Sequence, residues 1–197
     1  MKRVVFSGLI VLMLCLMVFP IPLRADDSTA TATLKPYEWL NDAEKAYVDK
    51  VRATTATALS QVDSVKNILG TATPEMDWFN NLYLPAVNSL VSTVGAFDYL
   101  GAPPEFQKVA WAYGELNSYM FSISEADWSN LSKAKAKGLM DMIILVAPAD
   151  AAMDSMKAKL NSQSAAIEAQ IADIAKRREA AAKMVSSLFA SCSNETS

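Results

Sequence analysis

The C-terminal part of the chain carries the pattern that most restricts its possible folds. From Met153 to Leu188 there is no glycine or proline, and apolar residues recur at alternating steps of three and four. This spacing places them on one face of a single helix, as in the seam of a coiled coil. The seam positions are Met153, Met156, Leu160, Gln163, Ile167, Ile171, Ile174, Arg178, Ala181, Val185 and Leu188. At about 1.5 Å per residue the helix should be roughly 60 Å long, and it needs other helices to cover its seam.

The apolar run "MIILVAPADAAM" at residues 142–153 precedes this seam and could enter a membrane, line a ligand cavity or join two core helices. Its uninterrupted apolar part, 142–149, is far shorter than the ~20 residues that span a bilayer. Pro148 disfavours a helical conformation at Ala147 and is followed by Asp150, an order typical of a helix start. We therefore interpret the run as a corner between helices, with Pro148 beginning the longest one.

The remainder of the chain also shows helical periodicity, punctuated by glycine and proline. It predicts helices over 36–69 and 73–100, with a kink or break at Pro85, and further helices opening at "APPEF" (102–106) and "SEAD" (124–127). No stretch alternates with the period of a strand. The predicted fold is all-α: an elongated up-and-down antiparallel bundle of four to five helices with a long C-terminal helix, preceded by a signal peptide.

The N-terminus has the arrangement of a secretory signal peptide. Lys2 and Arg3 precede a long apolar stretch, and the small residue Ala25 offers a cleavage site. We expect a signal peptide at 1–25, a flexible leader at 26–35, a single helical-bundle domain at 36–191 and a disordered tail at 192–197. The protein would then be secreted or periplasmic. The alternative is an uncleaved N-terminal signal anchor, because the apolar stretch approaches the ~20 residues that span a bilayer.

Composition excludes several classes of function. Removal of residues 1–25 leaves 15 basic against 21 acidic residues, so the mature chain is acidic and lacks the basic face that nucleic acid requires. The chain has no histidine, which removes the usual ligands of haem, di-iron and zinc sites and the usual base of serine and cysteine hydrolases. We expect no enzyme activity, no cofactor and no metal site, and contact with a membrane only through an uncleaved signal segment.

Aromatic residues are concentrated between 78 and 128 and absent from 129 to 188. They could line a pocket for an apolar or cationic small molecule, or simply fill the core. The candidate pocket residues are Trp78, Tyr83, Trp111, Tyr113, Tyr119 and Trp128. Cys192 would be the one thiol of the mature chain, which makes it a candidate for an intermolecular disulfide.

The middle of the chain resembles a loosely defined group of uncharacterised secreted proteins and lipoproteins. The resemblance spans residues 36–160 and is carried by the segment "APPEFQKVAWAY" and by a D-x-x-x-L-x-x-A step at Asp127, Leu131 and Ala134. It implies a helical bundle and no defined activity. Relatives of this kind often carry a histidine near the position of Ala110 or Trp111, and this chain has none, so no role of that histidine transfers.

Two functions are consistent with these features. The first is a non-catalytic secreted or surface bundle that acts by protein–protein interaction, with an unknown protein partner or as a homo-oligomer. Its basis is the seam, which would need a second chain wherever the C-terminal helix outruns the bundle. The alternative is an extracytoplasmic small-ligand-binding or sensor bundle that uses the aromatic segment 78–128.

Overall fold

A computed structural model of the chain describes residues 34–73, 75–120, 122 and 143–194. Within these ranges every regular element is helical and none is a strand. The predicted signal peptide, residues 26–33 of the leader, the opening of the fourth predicted helix and Trp128 lie outside the described residues. In the part that is described, no helix is long and apolar enough to cross a bilayer.

The described residues form four helices. A short 3-10 turn, Pro36–Trp39, leads into α1, Asp42–Leu69. The second helix, α2, consists of Met76–Trp78, a π turn at Phe79–Tyr83 and Leu84–Gly95. The third, α3, opens with a 3-10 turn at Pro104–Phe106 and continues over 107–120, and α4 spans Ile143–Asn194. The all-α bundle with a long C-terminal helix is therefore confirmed.

Helix α1 begins six residues later than its periodicity predicts, because a capping box fixes its start. The Asn41 side chain accepts the backbone N–H of Glu44 at 2.9 Å, and the Glu44 carboxylate accepts the N–H of Asn41 at 2.8 Å. The two bonds satisfy backbone donors that an uncapped helix would leave unpaired. Leu40, just before the cap, is buried in an extended conformation, which separates Pro36–Trp39 from the helix.

Helices α1 and α4 are antiparallel partners, as their cross-helix ion pairs demonstrate. The pairs are Glu44–Arg178, Arg52–Glu168, Asp63–Lys157 and Lys66–Asp154. Residue numbers rise along α1 as they fall along α4. Between these flanking pairs the two apolar faces are buried against each other, with Val48, Val62 and Val65 of α1 and Leu160 and Ile167 of α4 in one core.

The predicted break in α2 takes the form of a π turn rather than a simple proline kink. The N–H of Leu84 donates to the carbonyl of Phe79, five residues back, immediately before Pro85. The wider turn brings Trp78, Phe79 and Tyr83 to the core together, and the rings of Trp78 and Tyr83 stack at 5.5 Å.

Helix α2 ends at Gly95 rather than at residue 100. Phe97 is buried directly after the helix, and the Asp98 carboxylate accepts the N–H of Gly101 at 2.7 Å. This side chain satisfies the backbone of a turn that reverses the chain before α3. The helical pattern of the sequence continues through these residues, whereas the chain forms this turn instead of a further helical turn.

The predicted corner at Pro148 is wrong. Pro148 lies inside α4, which is already helical at Ile143. The proline is exposed and removes a backbone hydrogen bond, while Ala149, Met153 and Met156 on the following turns are buried in the core. The packing of one continuous helix outweighs that loss. At its other end α4 runs to Asn194, three residues into the stretch expected to be disordered.

Candidate interaction surface at the C-terminal end of α4

The seam of α4 is buried along most of the helix and then becomes exposed. Met153, Met156, Leu160, Ile167, Ile171 and Ile174 are all in the core. From residue 176 to 191 no side chain of α4 is buried, and every residue from 183 to 191 is exposed. Residues 183–194 add about 18 Å of helix at 1.5 Å per residue. The last three turns of α4 therefore project past the described residues that cover its seam.

Three apolar side chains form what we call the projecting face: Met184, Val185 and Leu188. Their exposed fractions are 67%, 44% and 60%. Val185 follows Ile167 by about five helical turns, so it lies on the same side of α4 as the buried core residues. Phe189, which is 68% exposed, adds to the same stretch. A contiguous apolar surface of this kind is a typical mark of a binding site.

The projecting end is anchored at its base by Arg178. This side chain donates from both terminal nitrogens to the Glu44 carboxylate at 2.7 Å and also to the backbone carbonyl of Trp39 at 2.6 Å. Glu44 is only 2% exposed, so the pair is largely shielded from water. In the sequence, Arg178 interrupts an apolar seam, which signals a buried contact but does not identify its partner.

Arg177 ties the same turn of α4 to the start of α3. It donates to Glu105 at 2.7 Å and to Asp173 at 2.9 Å, and these two hydrogen bonds raise the pKa of its guanidinium. Two turns earlier, Gln170 donates to the backbone carbonyl of Glu105 at 2.8 Å. The base of the projection is thus fixed to α1 and α3, and the apolar turns beyond it extend from a rigid support.

Among the candidate pocket residues that the structure describes, Trp78, Tyr83 and Tyr113 belong to one buried core, Tyr119 packs against it and Trp111 is exposed. Trp78 and Tyr83 stack on each other in the core. Tyr113 is buried against Phe97, with ring centroids 4.2 Å apart, and burial raises its pKa. Trp111 is 62% exposed on the opposite side of α3, and Tyr119 lies half-buried beneath the Lys159 ammonium. The rings are therefore divided between the core and two surface positions.

No cluster of three or more cysteine, aspartate or glutamate side chains suited to a metal ion occurs among those that the structure describes. Cys192 lies in the last turns of the α4 backbone, seven residues after Val185, so its register continues the seam.

Comparisons with protein-family models, with curated proteins and with solved structures each gave no significant match. The resemblance to secreted helical-bundle proteins stays a prediction, and a functional assignment rests on the geometry of the projecting end.

Proposed function

We propose that this protein is a non-catalytic binding protein that acts by self-association through the projecting face of α4. One observation carries the proposal: the apolar seam that holds α4 in its own bundle continues past the described part of that bundle and is exposed at Val185 and Leu188. A seam with three-and-four spacing is complementary to another helix of the same kind. A second copy of the chain supplies such a helix with the same seam.

The size of the surface sets the expected strength of the association. Met184, Val185 and Leu188 expose on the order of a few hundred Å² of apolar area, which is below the ~800 Å² per partner of a standard interface. The self-association should therefore be weak and reversible, with a dissociation constant on the order of tens of micromolar. The N-terminal sequence supports the further proposal that this association takes place outside the cytoplasm.

Sedimentation velocity on the purified full-length chain tests this proposal. Between about 5 and about 200 µM the wild-type protein should shift from monomer to dimer. The Val185→Lys variant, which places a charge in the apolar contact, should weaken dimerisation at least about tenfold, a cost of about 1.4 kcal/mol.

The matched control is Ser186→Lys, which adds the same charge on the neighbouring, polar side of the helix. It should dimerise like the wild type. A wild-type chain that remains monomeric throughout, or equal effects of the two lysines, would contradict the proposal.

The alternative function, a small-ligand pocket in the aromatic segment, has less support from the geometry. Three of its described residues, Trp78, Tyr83 and Tyr113, are core side chains packed on other rings. Trp111 is the exposed aromatic candidate, and it pairs with Tyr99 at 5.9 Å between centroids.

A further inference from the structure

We infer that two projecting ends pair in antiparallel orientation, about a twofold axis that passes between the two α4 helices at the level midway between Val185 and Leu188. This inference rests on the proposed self-association and specifies its geometry. It follows from what already occupies the seam side of α4 at the base of the projection.

On its seam side, α4 packs against the other helices of its own chain as far as Arg178, at the base of the projection. Ile174 is buried in the core, and one turn later Arg178 contacts Trp39 and Glu44 of the segment that opens α1. Val185 lies on this same side. Thus a helix that docks on the projecting face continues the line of α1 and the 3-10 turn that precedes it.

A parallel pair of projecting ends would put both bundles into the same space. Two packed helices lie about 8–10 Å apart, which leaves no room for another helix between them. In a parallel pair the seams of the two α4 helices face each other. The space between the helices, at the level of Arg178, would then have to contain the start of α1 from both copies. An antiparallel pair avoids the conflict, because the bundle of each copy then meets only the projecting end of its partner's α4 and not its partner's bundle.

The axis position follows from the apolar residues of the projecting face. Val185 and Leu188 are its exposed seam residues, and the level midway between them falls between residues 186 and 187. With the axis there, Val185 of one copy lies opposite Leu188 of the other, so apolar side chains meet. No charged residue occurs from Met184 to Asn194. The projecting end of one copy therefore brings no like charge to Arg177 and Arg178 of the other copy.

Cys192 makes the orientation measurable. In a parallel pair the two copies of this residue would lie side by side. In the antiparallel pair they are separated by about 16 Å along the axis, at 1.5 Å per residue. The Cα atoms of a disulfide lie within about 7 Å of each other. In a Cys15→Ser background, where Cys192 is the one thiol of the full-length chain, mild oxidation of the dimer should therefore produce no disulfide-linked species on a non-reducing gel.

A positive control uses the residue that faces Cys192 across the axis, Ala181. In the same background, the Ala181→Cys variant with native Cys192 should form disulfide-linked dimers on oxidation at about 100 µM, a concentration at which the dimer is populated. Within one chain the two positions are about 16 Å apart, so they cannot close an internal bridge. Ala181→Cys combined with Cys192→Ser should lose the crosslink.

The outcomes separate the orientation from the association itself. A dimer by sedimentation whose native Cys192 crosslinks readily in the Cys15→Ser background would overturn the antiparallel arrangement and leave the self-association standing. A dimer in which Ala181→Cys gives no crosslink would overturn it as well. A chain that stays monomeric at about 200 µM removes both proposals together.

Discussion

The Arg178→Met variant should lose about 3–5 kcal/mol of its free energy of unfolding. Loss of the Arg178 guanidinium leaves the Glu44 carboxylate buried without its cationic partner and leaves the Trp39 carbonyl without this hydrogen-bond donor. A buried charge that loses its counter-ion costs far more than the pair contributed while intact. Equilibrium urea unfolding, followed by far-ultraviolet circular dichroism, measures the change.

Arg52→Met is the matched control, because Arg52 also makes a two-pronged pair with a glutamate across the α1–α4 contact. Its bonds to Glu168 are 2.8 Å long, but the two side chains are 40% and 49% exposed. An exposed pair contributes about 1 kcal/mol or less. Equal losses in the two variants would show that burial of the Glu44–Arg178 pair has no energetic consequence.

The Phe106→Ala variant should also be strongly destabilised, by about 3–5 kcal/mol, because it leaves a cavity in the core. Phe106 is fully buried where α3 begins, with its ring 5.7 Å from that of Tyr47. Trp111→Ala, five residues further on the same helix, removes a larger but exposed side chain and should change stability by only about 0.5 kcal/mol. Thermal and urea unfolding of both variants tests the contrast.

The same pair of variants bears on the alternative function. If Trp111 serves a ligand site, its loss should abolish ligand-induced stabilisation without lowering the stability of the free protein. A Trp111→Ala variant as unstable as Phe106→Ala would instead place the tryptophan in the core, against its observed exposure.

The sequence predicts which faces are apolar far better than where helices end. The spacing of Ile167, Ile171 and Ile174 reflects burial along a regular helix, and all three are in the core. Helix ends depend on single local events that periodicity does not record. The Asn41 cap sets the start of α1, and the Asp98 side chain stabilises a turn after α2. Packing of the turns around Pro148 keeps α4 helical through the proline.

The exposure of the projecting face could not be predicted from the sequence for a similar reason. Ile174 and Val185 belong to one seam and look alike in the sequence, yet one is buried and the other exposed. The difference arises because, among the described residues, the cover of α4 ends at the turn Pro36–Trp39, which contacts Arg178. Exposure at the end of a seam depends on the length of a neighbouring element, which no local pattern contains.

The π turn in α2 gives Asn80 an importance that is independent of its chemistry. An i-to-i+5 turn holds one residue more than an α-helical turn, so this segment contains a built-in insertion. Asn80→Ala should be silent, because the side chain is exposed. Deletion of Asn80 should restore an unbroken α-helix and rotate Trp78 by about 100° relative to Tyr83, which near-ultraviolet circular dichroism of their stacked rings would detect. The number of residues in the π turn is therefore constrained more than the identity of Asn80. Insertion or deletion of a residue in Phe79–Tyr83 should be tolerated less well than substitution of Asn80.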